Sequence, residues 1–166
     1  MISTSGPVPI ISIALPGDAE AMYKIATDAG IDAWSSKDYR AEMDREDSFV
    51  LVARLTTNEV AGFLVSRIVP GKSELPDADL YNIAVKAPDR RFGAGRELLL
   101  ALISLLRNRD VENIWLEVRA SNSGAIKFYS KYDFQPEITR RNFYSNPPED
   151  AVIMRLKIGK GLDHAR

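Results

Sequence analysis

The 166-residue chain has no cysteine and a single histidine. Without cysteine there is no disulfide, no thiolate metal ligand and no thiol nucleophile. The one histidine, His164, stands in a polar tail. A Ser-His-Asp triad, a histidine general base and a zinc site of protein ligands are therefore not expected. Proton transfer is left to carboxylates, tyrosines, lysines or water. A marked excess of charge of one sign is missing as well. The 22 Lys and Arg against 23 Asp and Glu leave a net charge of −1, which removes the basic footprint of a nucleic-acid binder. No apolar run approaches the roughly 20 residues of a membrane span. Met1 to Pro9 has no basic stretch ahead of an apolar one, and Asp18 and Glu20 follow soon, so the start does not read as a secretory signal. The expectation is a soluble cytoplasmic protein with no nucleic-acid, membrane or metal partner.

What is present is ordinary globular material, 45% hydrophobic and 27% charged. The length suits one domain over 1–166, with a core of about 8–158 and a frayed tail over 159–166. Val8 to Ala14 reads as a first strand closed by Pro16-Gly17. Asp18 is placed to cap a helix reaching about Ala29, with Ala21, Met22 and Ile25 on one face, and Gly30 ends it. Trp34-Ser35-Ser36 introduces a second short helix with a serine cap. Ser48–Leu55 and Val60–Val69 are β-rich and joined by Thr56-Thr57-Asn58-Glu59, a hairpin. Pro70 to Pro76 is a polar loop and Leu80 to Val85 the next strand. An amphipathic helix from Arg96 to Arg107 turns Leu98, Leu99, Leu102, Leu105 and Leu106 inward. Asn113–Val118 is a strand, Asn122 caps a helix to about Tyr132, and Gln135–Thr139 and Ala151–Ile158 are closing strands around a polar aromatic loop, Arg141 to Asp150. This order predicts an α/β (α+β) fold, a mixed sheet with helices on both faces.

Arg90-Arg91-Phe92-Gly93-Ala94-Gly95 lies between a strand and a helix. A glycine-rich turn there offers free backbone N–H groups and the positive end of the helix dipole, both suited to phosphate. The spacing removes two familiar answers. A Walker loop needs Lys then Ser or Thr after the last Gly, where this chain has Arg96-Glu97. A dinucleotide fingerprint needs a further Gly where this chain has Leu98, although Glu117 stands about where its ribose partner would be.

Arg90-x-x-Gly93-x-Gly95 resembles the pyrophosphate loop of the GNAT acetyltransferases. Further motifs in order carry the resemblance: Asn82-Ile83-Ala84-Val85, then Trp115 to Asn122 (Trp-Leu-Glu-Val-Arg-Ala-Ser-Asn), then Ala125-Ile126-Lys127-Phe128-Tyr129, then Arg140-Arg141-Asn142-Phe143-Tyr144 and Glu149-Asp150-Ala151-Val152-Ile153-Met154. Trp34-Ser35 echoes the family's first helical region. The likeness runs from about Trp34 to Ile158 and is strongest over 80–156. It implies the GNAT fold, a mixed but mostly antiparallel central sheet, and acetyl-CoA as cosubstrate. It also implies a protein N-terminal α-amine as acceptor, as in those members that acetylate the N-terminal Ala of a small-subunit ribosomal protein. A lysine side chain, a polyamine or another small amine as acceptor, and an acyl-CoA-binding module without turnover, are the competing readings.

The resemblance also distributes roles. Glu117, alone among Ile114, Trp115, Leu116 and Val118, falls on the catalytic base; the residues alone leave open a solvent-facing Glu on a half-exposed strand. Tyr129 falls on the group that meets the CoA sulfur, although a core tyrosine is equally ordinary at that spacing. Ile83, Ala84 and Val85 correspond to the strand whose backbone pairs with the pantetheine arm. Arg91, Phe92, Gly93, Ala94, Gly95 and Arg96 form the pyrophosphate loop, and Asn122 contacts the cofactor besides capping its helix. Tyr144 and Asn142 fall on the acceptor side. Departures are few. Asp133-Phe134 replaces Gly-Phe, the loop-entry proline is shifted in Lys86-Ala87-Pro88, and Phe92 replaces a polar residue. Pro70 to Asp77 is long for the family and is expected to border the acceptor site.

Overall fold

The computed structural model describes residues 6–31 and 34–159; His164 and most of the tail lie outside them. Along the chain run β1 (Ile10–Ile13), α1 (Ala19–Asp28), α2 (Ser36–Met43), β2 (Ser48–Arg54), β3 (Val60–Val69), β4 (Asp77–Val85), α3 (Ala94–Arg107), β5 (Asn113–Arg119), α4 (Ser123–Lys131), β6 (Gln135–Ser145) and β7 (Pro148–Lys157), with 3₁₀ turns at Pro16–Asp18 and Ala87–Phe92. The strands are ordered β1-β2-β3-β4-β5-β7-β6 in one sheet. The β4–β5 pair is parallel, whereas β1–β2, β2–β3, β5–β7 and β6–β7 are antiparallel. The sheet is thus mixed, as the order of elements implied, and mostly antiparallel, as the resemblance implied. Contacts group the chain into two compact units, Met1–Arg67 with Asn82–Leu105 and Ile68–Tyr81 with Leu106–Arg166.

In the first unit, β2 and β3 form the expected hairpin, and Asn58 takes a left-handed φ of 62° in its turn. Val50, Val52, Phe63 and Val65 join Met22, Ile25 and Ala26 of α1 and Tyr39 of α2 in a buried cluster. Leu51 and Ala53 point the other way by strand alternation and are just as buried, so β2 is covered on both faces. Ser35 caps α2 as expected: it accepts from Asp38 N–H at 3.2 Å and donates its own N–H to the Asp38 carboxylate at 2.7 Å. Asp18 behaves differently from expectation. It stands at the start of α1 but makes no cap; its carboxylate accepts from Leu15 N–H at 2.9 Å and pairs with Arg54 at 2.7 Å, a guanidinium being the stronger partner. β1 is shorter than Val8–Ala14 and exposed along most of its length.

In the second unit, β5, β7 and β6 lie side by side, and α4 follows Asn122, whose side chain accepts from Ala125 N–H at 3.1 Å. Asp133 takes the left-handed φ of 67° that the absent glycine would have provided. Two sequence expectations are corrected here. The supposed loop Arg141 to Asp150 is mostly strand, because β6 and β7 pair almost to their turn at Asn146-Pro147. Pro70 to Asp77 does not border Glu117. Pro76 accepts from Glu112 N–H at 2.8 Å and Ser73 donates to the Glu112 carboxylate at 2.7 Å. That fastens the loop to the start of β5, about 16 Å of strand away from Glu117. Asp77 is no loop residue either: it opens β4 and is 5% exposed.

Candidate active site

The glycine-rich segment lies in the first unit. Ala87–Phe92 is a 3₁₀ turn, Gly93 reverses the chain with φ of 76°, and α3 opens at Ala94, so Gly95 and Arg96 fall inside its first turn rather than before it. A Cβ at Gly93 would meet no atom within 4 Å. Glycine is needed there for backbone conformation, and the space above it is open. Arg90 Nε donates to Val85 O at 3.1 Å and ties the turn to the end of β4. Arg96 is exposed and paired with Glu97 at 2.6 Å. Phe92 is half-buried with Gly6 against its ring. Arg91 belongs to the 3₁₀ turn; its side chain is outside the described set. First-turn N–H groups of a helix have no intrahelical partner and sit at the positive end of its dipole. Together with an unobstructed Gly93 they fit a pyrophosphate. Ile83 and Val85 are half-buried and Ala84 is buried in the core cluster. Asn82 beside them is 6% exposed and its amide nitrogen has no hydrogen-bond partner among the described residues.

The titratable groups lie in the second unit. Strand alternation along β5 buries Leu116 and Val118 and turns Glu117 outward, its side chain 43% exposed. Arg140 approaches it at 3.7 Å. The Glu117 pKa is raised above the usual carboxylate value, first by partial burial and then by the nearby Asp79, against the pull of Arg140. Tyr129 points inward from α4 and is 8% exposed, its ring centroid 5.5 Å from that of Phe134. Burial, and secondarily Tyr144, push its phenol far above the ordinary value. Tyr144 feels Glu117, Arg119 and Glu149 in turn; burial is the largest cause of its own raised pKa. Glu117, Tyr129 and Tyr144 are therefore brought together. Asn142 is not among them: it bulges from β6 with φ of 51° and gives its backbone N–H to Asp150 at 2.9 Å. Sequence reasoning assigned nothing to Arg119, Glu149 or Asp79. The alternation that placed Glu117 also places Arg119 two residues on along the same face, a signal that was there to use.

A half-exposed carboxylate with a raised pKa can accept a proton, and a phenol held neutral can donate a hydrogen bond. With no cysteine in the chain and no histidine among the described residues, these two suit acyl transfer by direct attack rather than through a covalent enzyme intermediate. That defines an acyltransferase with a pyrophosphate-bearing donor. Residues 19–134 match the acetyltransferase (GNAT) family. Over 144 residues the chain is 39% identical to the [ribosomal protein bS18]-alanine N-acetyltransferase of Escherichia coli (strain K12), spanning 85% of this chain and 92% of that protein. The crystal structure of the ribosomal-protein-S18-alanine N-acetyltransferase from Escherichia coli superposes with a TM-score of 0.80 at 34% identity, over 96% of this chain and 99% of that one. Arabidopsis thaliana NAA60 in complex with acetyl-CoA shares the fold, with a TM-score of 0.81 at 18% identity over 91% and 99% of the two chains. The chain belongs to the GNAT family and is an acetyl-CoA-dependent N-acetyltransferase. Among the described residues no group of three or more His, Cys, Asp or Glu could hold a metal, and no helix is long and apolar enough to cross a membrane.

Proposed function

We propose that this enzyme acetylates the N-terminal alanine of ribosomal protein bS18, in the cytoplasm, as a single acetyltransferase domain. The chemistry rests on the convergence of Glu117, Tyr129 and Tyr144. The acceptor rests on the Escherichia coli enzyme, whose name states it and most of whose length this chain matches. Single-domain organisation is supported by the path of the chain, which passes between its two compact units within β3 and β4 rather than through a linker.

The backbone of Gly93, Ala94, Gly95 and Arg96, with Arg91 and Phe92 leading in, holds the pyrophosphate. The backbone of Ile83 to Val85 pairs with the pantetheine arm, and Asn122 adds a contact. Bound acetyl-CoA supplies an acyl group on a sulfur leaving group. Glu117 takes a proton from the acceptor's α-ammonium, directly or through a water; its raised pKa narrows the gap to an amine near 8. The freed amine forms the C–N bond as the C–S bond breaks, and the second amine proton passes to the departing thiolate or to water. Tyr129 donates a hydrogen bond to the departing sulfur. A thiol ionises near 8.5, so the sulfur can leave as thiolate while the phenol keeps its proton. Tyr144 faces the acceptor, whereas Asn142, set apart in the β6 bulge, is given no role there.

Mass spectrometry after incubation with acetyl-CoA tests the reading. A peptide carrying the bS18 N-terminus should gain one acetyl group, and the same peptide blocked at its N-terminus should gain none. Acetylation of the blocked peptide at internal lysines would reassign the acceptor. Gly93→Val should weaken acetyl-CoA binding by calorimetry, since a β-branched residue resists a φ of 76°; unchanged affinity would remove the loop from the donor site.

A further inference from the structure

Beyond Glu117, the β5 strand ends in Arg119, whose guanidinium meets four partners at once. It lies 4.2 Å over the Tyr144 ring. Nη1 donates to Pro147 O at 3.3 Å and pairs with Glu149 at 3.4 Å, and Nη2 donates to Asn146 O at 3.4 Å. Glu149 is itself seated on the far side, where its Oε1 accepts from Ser121 N–H at 2.6 Å. Ala120 N–H donates to Asp150 O at 3.0 Å just beside it. The β6–β7 turn is thereby tied to the segment that follows β5.

The register of β6 explains why Tyr144 needs such a hold. Arg140 pairs with Ala151 and Tyr144 with Glu149, so three residues of β6 stand against the single Asp150. A bulge of this kind re-aims the strand beyond it. Past the bulge Tyr144 has one ladder partner and the turn, and its ring is only half-buried. A second restraint must fix where the phenol stands.

We propose that Arg119 is a positioning residue for acceptor binding: it holds Tyr144 beside Glu117 and Tyr129 through the ring stack and the two turn carbonyls, with Glu149 as its anchor. Arginine suits the task because its planar fork can stack and donate along several directions together; a lysine ammonium would satisfy one or two partners and give up the stack. The inference rests on the reading that Tyr144 contacts the acceptor. Neither Arg119 nor Glu149 touches the reacting atoms.

The test is a double-mutant cycle on the full chain, with steady-state kinetics on the bS18 peptide. Arg119→Met should raise the peptide KM about tenfold, leave the acetyl-CoA KM unchanged, and move kcat little. Arg119→Lys should fall between Met and the parent. In a Tyr144→Ala background Arg119→Met should add almost nothing, because the side chain it serves is gone. An equal loss in both backgrounds, or a loss carried by the acetyl-CoA KM, would overturn the proposal. If Met at 119 prevents folding, the cycle is run with Lys. If the parent fails to acetylate this peptide, the acceptor reading falls, and the positioning of Tyr144 is judged by tyrosine titration in the ultraviolet. The titration component missing in Tyr144→Phe should move to higher pH in Arg119→Met, since Arg119 pulls the Tyr144 pKa down against Glu117 and Glu149. A component that stays in place would overturn the proposal independently of any acceptor.

Discussion

Two carboxylates on the paired strands β4 and β5 are put to opposite uses. Asp77, where the parallel pair begins, is 5% exposed and receives three hydrogen bonds. The Asn113 backbone N–H donates at 3.1 Å, the Asn113 side-chain amide at 2.8 Å and the Trp115 indole at 2.8 Å. The network continues outward, where Arg155 lies 5.6 Å over the Trp115 ring and pairs with Glu137 at 2.8 Å. Glu117, further along β5, receives no hydrogen bond among the described residues and has one cation at 3.7 Å. A carboxylate whose lone pairs are filled by fixed donors fastens strands together. One left short of donors and partly desolvated has a proton affinity to spend on a substrate. The same side-chain type, on adjacent strands, is structural at one end and, on the function proposed above, reactive at the other.

The comparison breaks most visibly at Glu117. Glu117→Gln keeps the shape and removes the base, and general-base help is worth about 10²–10⁴-fold, so kcat/KM near neutral pH should drop by about that factor. The loss should shrink as pH rises and free amine becomes abundant. Stability should move the other way. Glu117 has its pKa raised from 4.5, so folding favours its protonated form. That contribution is whole below 4.5 and is lost as pH rises through the folded pKa. At neutral pH the ionised group therefore burdens the fold, and the Gln variant should melt no lower than the parent. Tyr129→Phe should show a rate loss that persists at high pH, because the leaving sulfur, not the amine, has lost its partner. Parent-like pH–rate profiles in both variants would mean that water handles the protons unaided.

Asp77 should give the reverse pattern. Asp77→Ala strands two buried N–H groups of Asn113 and the Trp115 indole N–H, and should cost about 3–5 kcal/mol of unfolding free energy, read by urea titration. Asp77→Asn keeps an acceptor oxygen but turns an NH₂ toward one of the donors, and should cost less. Once folded, either variant should retain most of the parent's kcat. A stable Asp77→Ala protein with lost activity would show that the network serves the chemistry directly.

The difference between the two carboxylates also marks how far the sequence could be read. Glu117 was visible because a lone acid interrupts an apolar strand, and motif order gave it a role. The loop around Gly93 was visible because its features are local: a strand, two glycines and a helix in immediate succession. Asp77 was invisible for the contrary reason. It follows Pro76 in a polar stretch, and only pairing with a strand far along the chain makes it a buried anchor. The extent of β6 was hidden likewise, since polar residues such as Arg141 and Asn142 give no alternation and the pairing with β7 overrides their weak β-propensity. Asp18 misled because cap preference is a local rule, and Arg54 reaches it from the end of β2.

The smallest expected effect sharpens the contrast by moving Glu117 toward Asp77's opposite extreme. Arg140 is the one cation beside Glu117 among the described residues, and its own side chain is 56% exposed. It lowers the Glu117 pKa against burial and Asp79; Tyr144 also faces the group. Arg140→Met keeps the apolar stem, removes the charge and leaves the carboxylate with burial and a like charge only. Its pKa should then rise further, and the acid limb of the kcat/KM profile should move to higher pH. The shift should be modest, because an exposed pair is screened by solvent and salt. Added salt gives an internal check. Raising ionic strength should move the parent's acid limb upward by weakening the attraction to Arg140, and should have less effect on the variant. The absence of any shift in Arg140→Met, at low salt where the pair is strongest, would show that Glu117 does not set the acid limb and that its half-exposed place on β5 is no more reactive than an ordinary surface carboxylate.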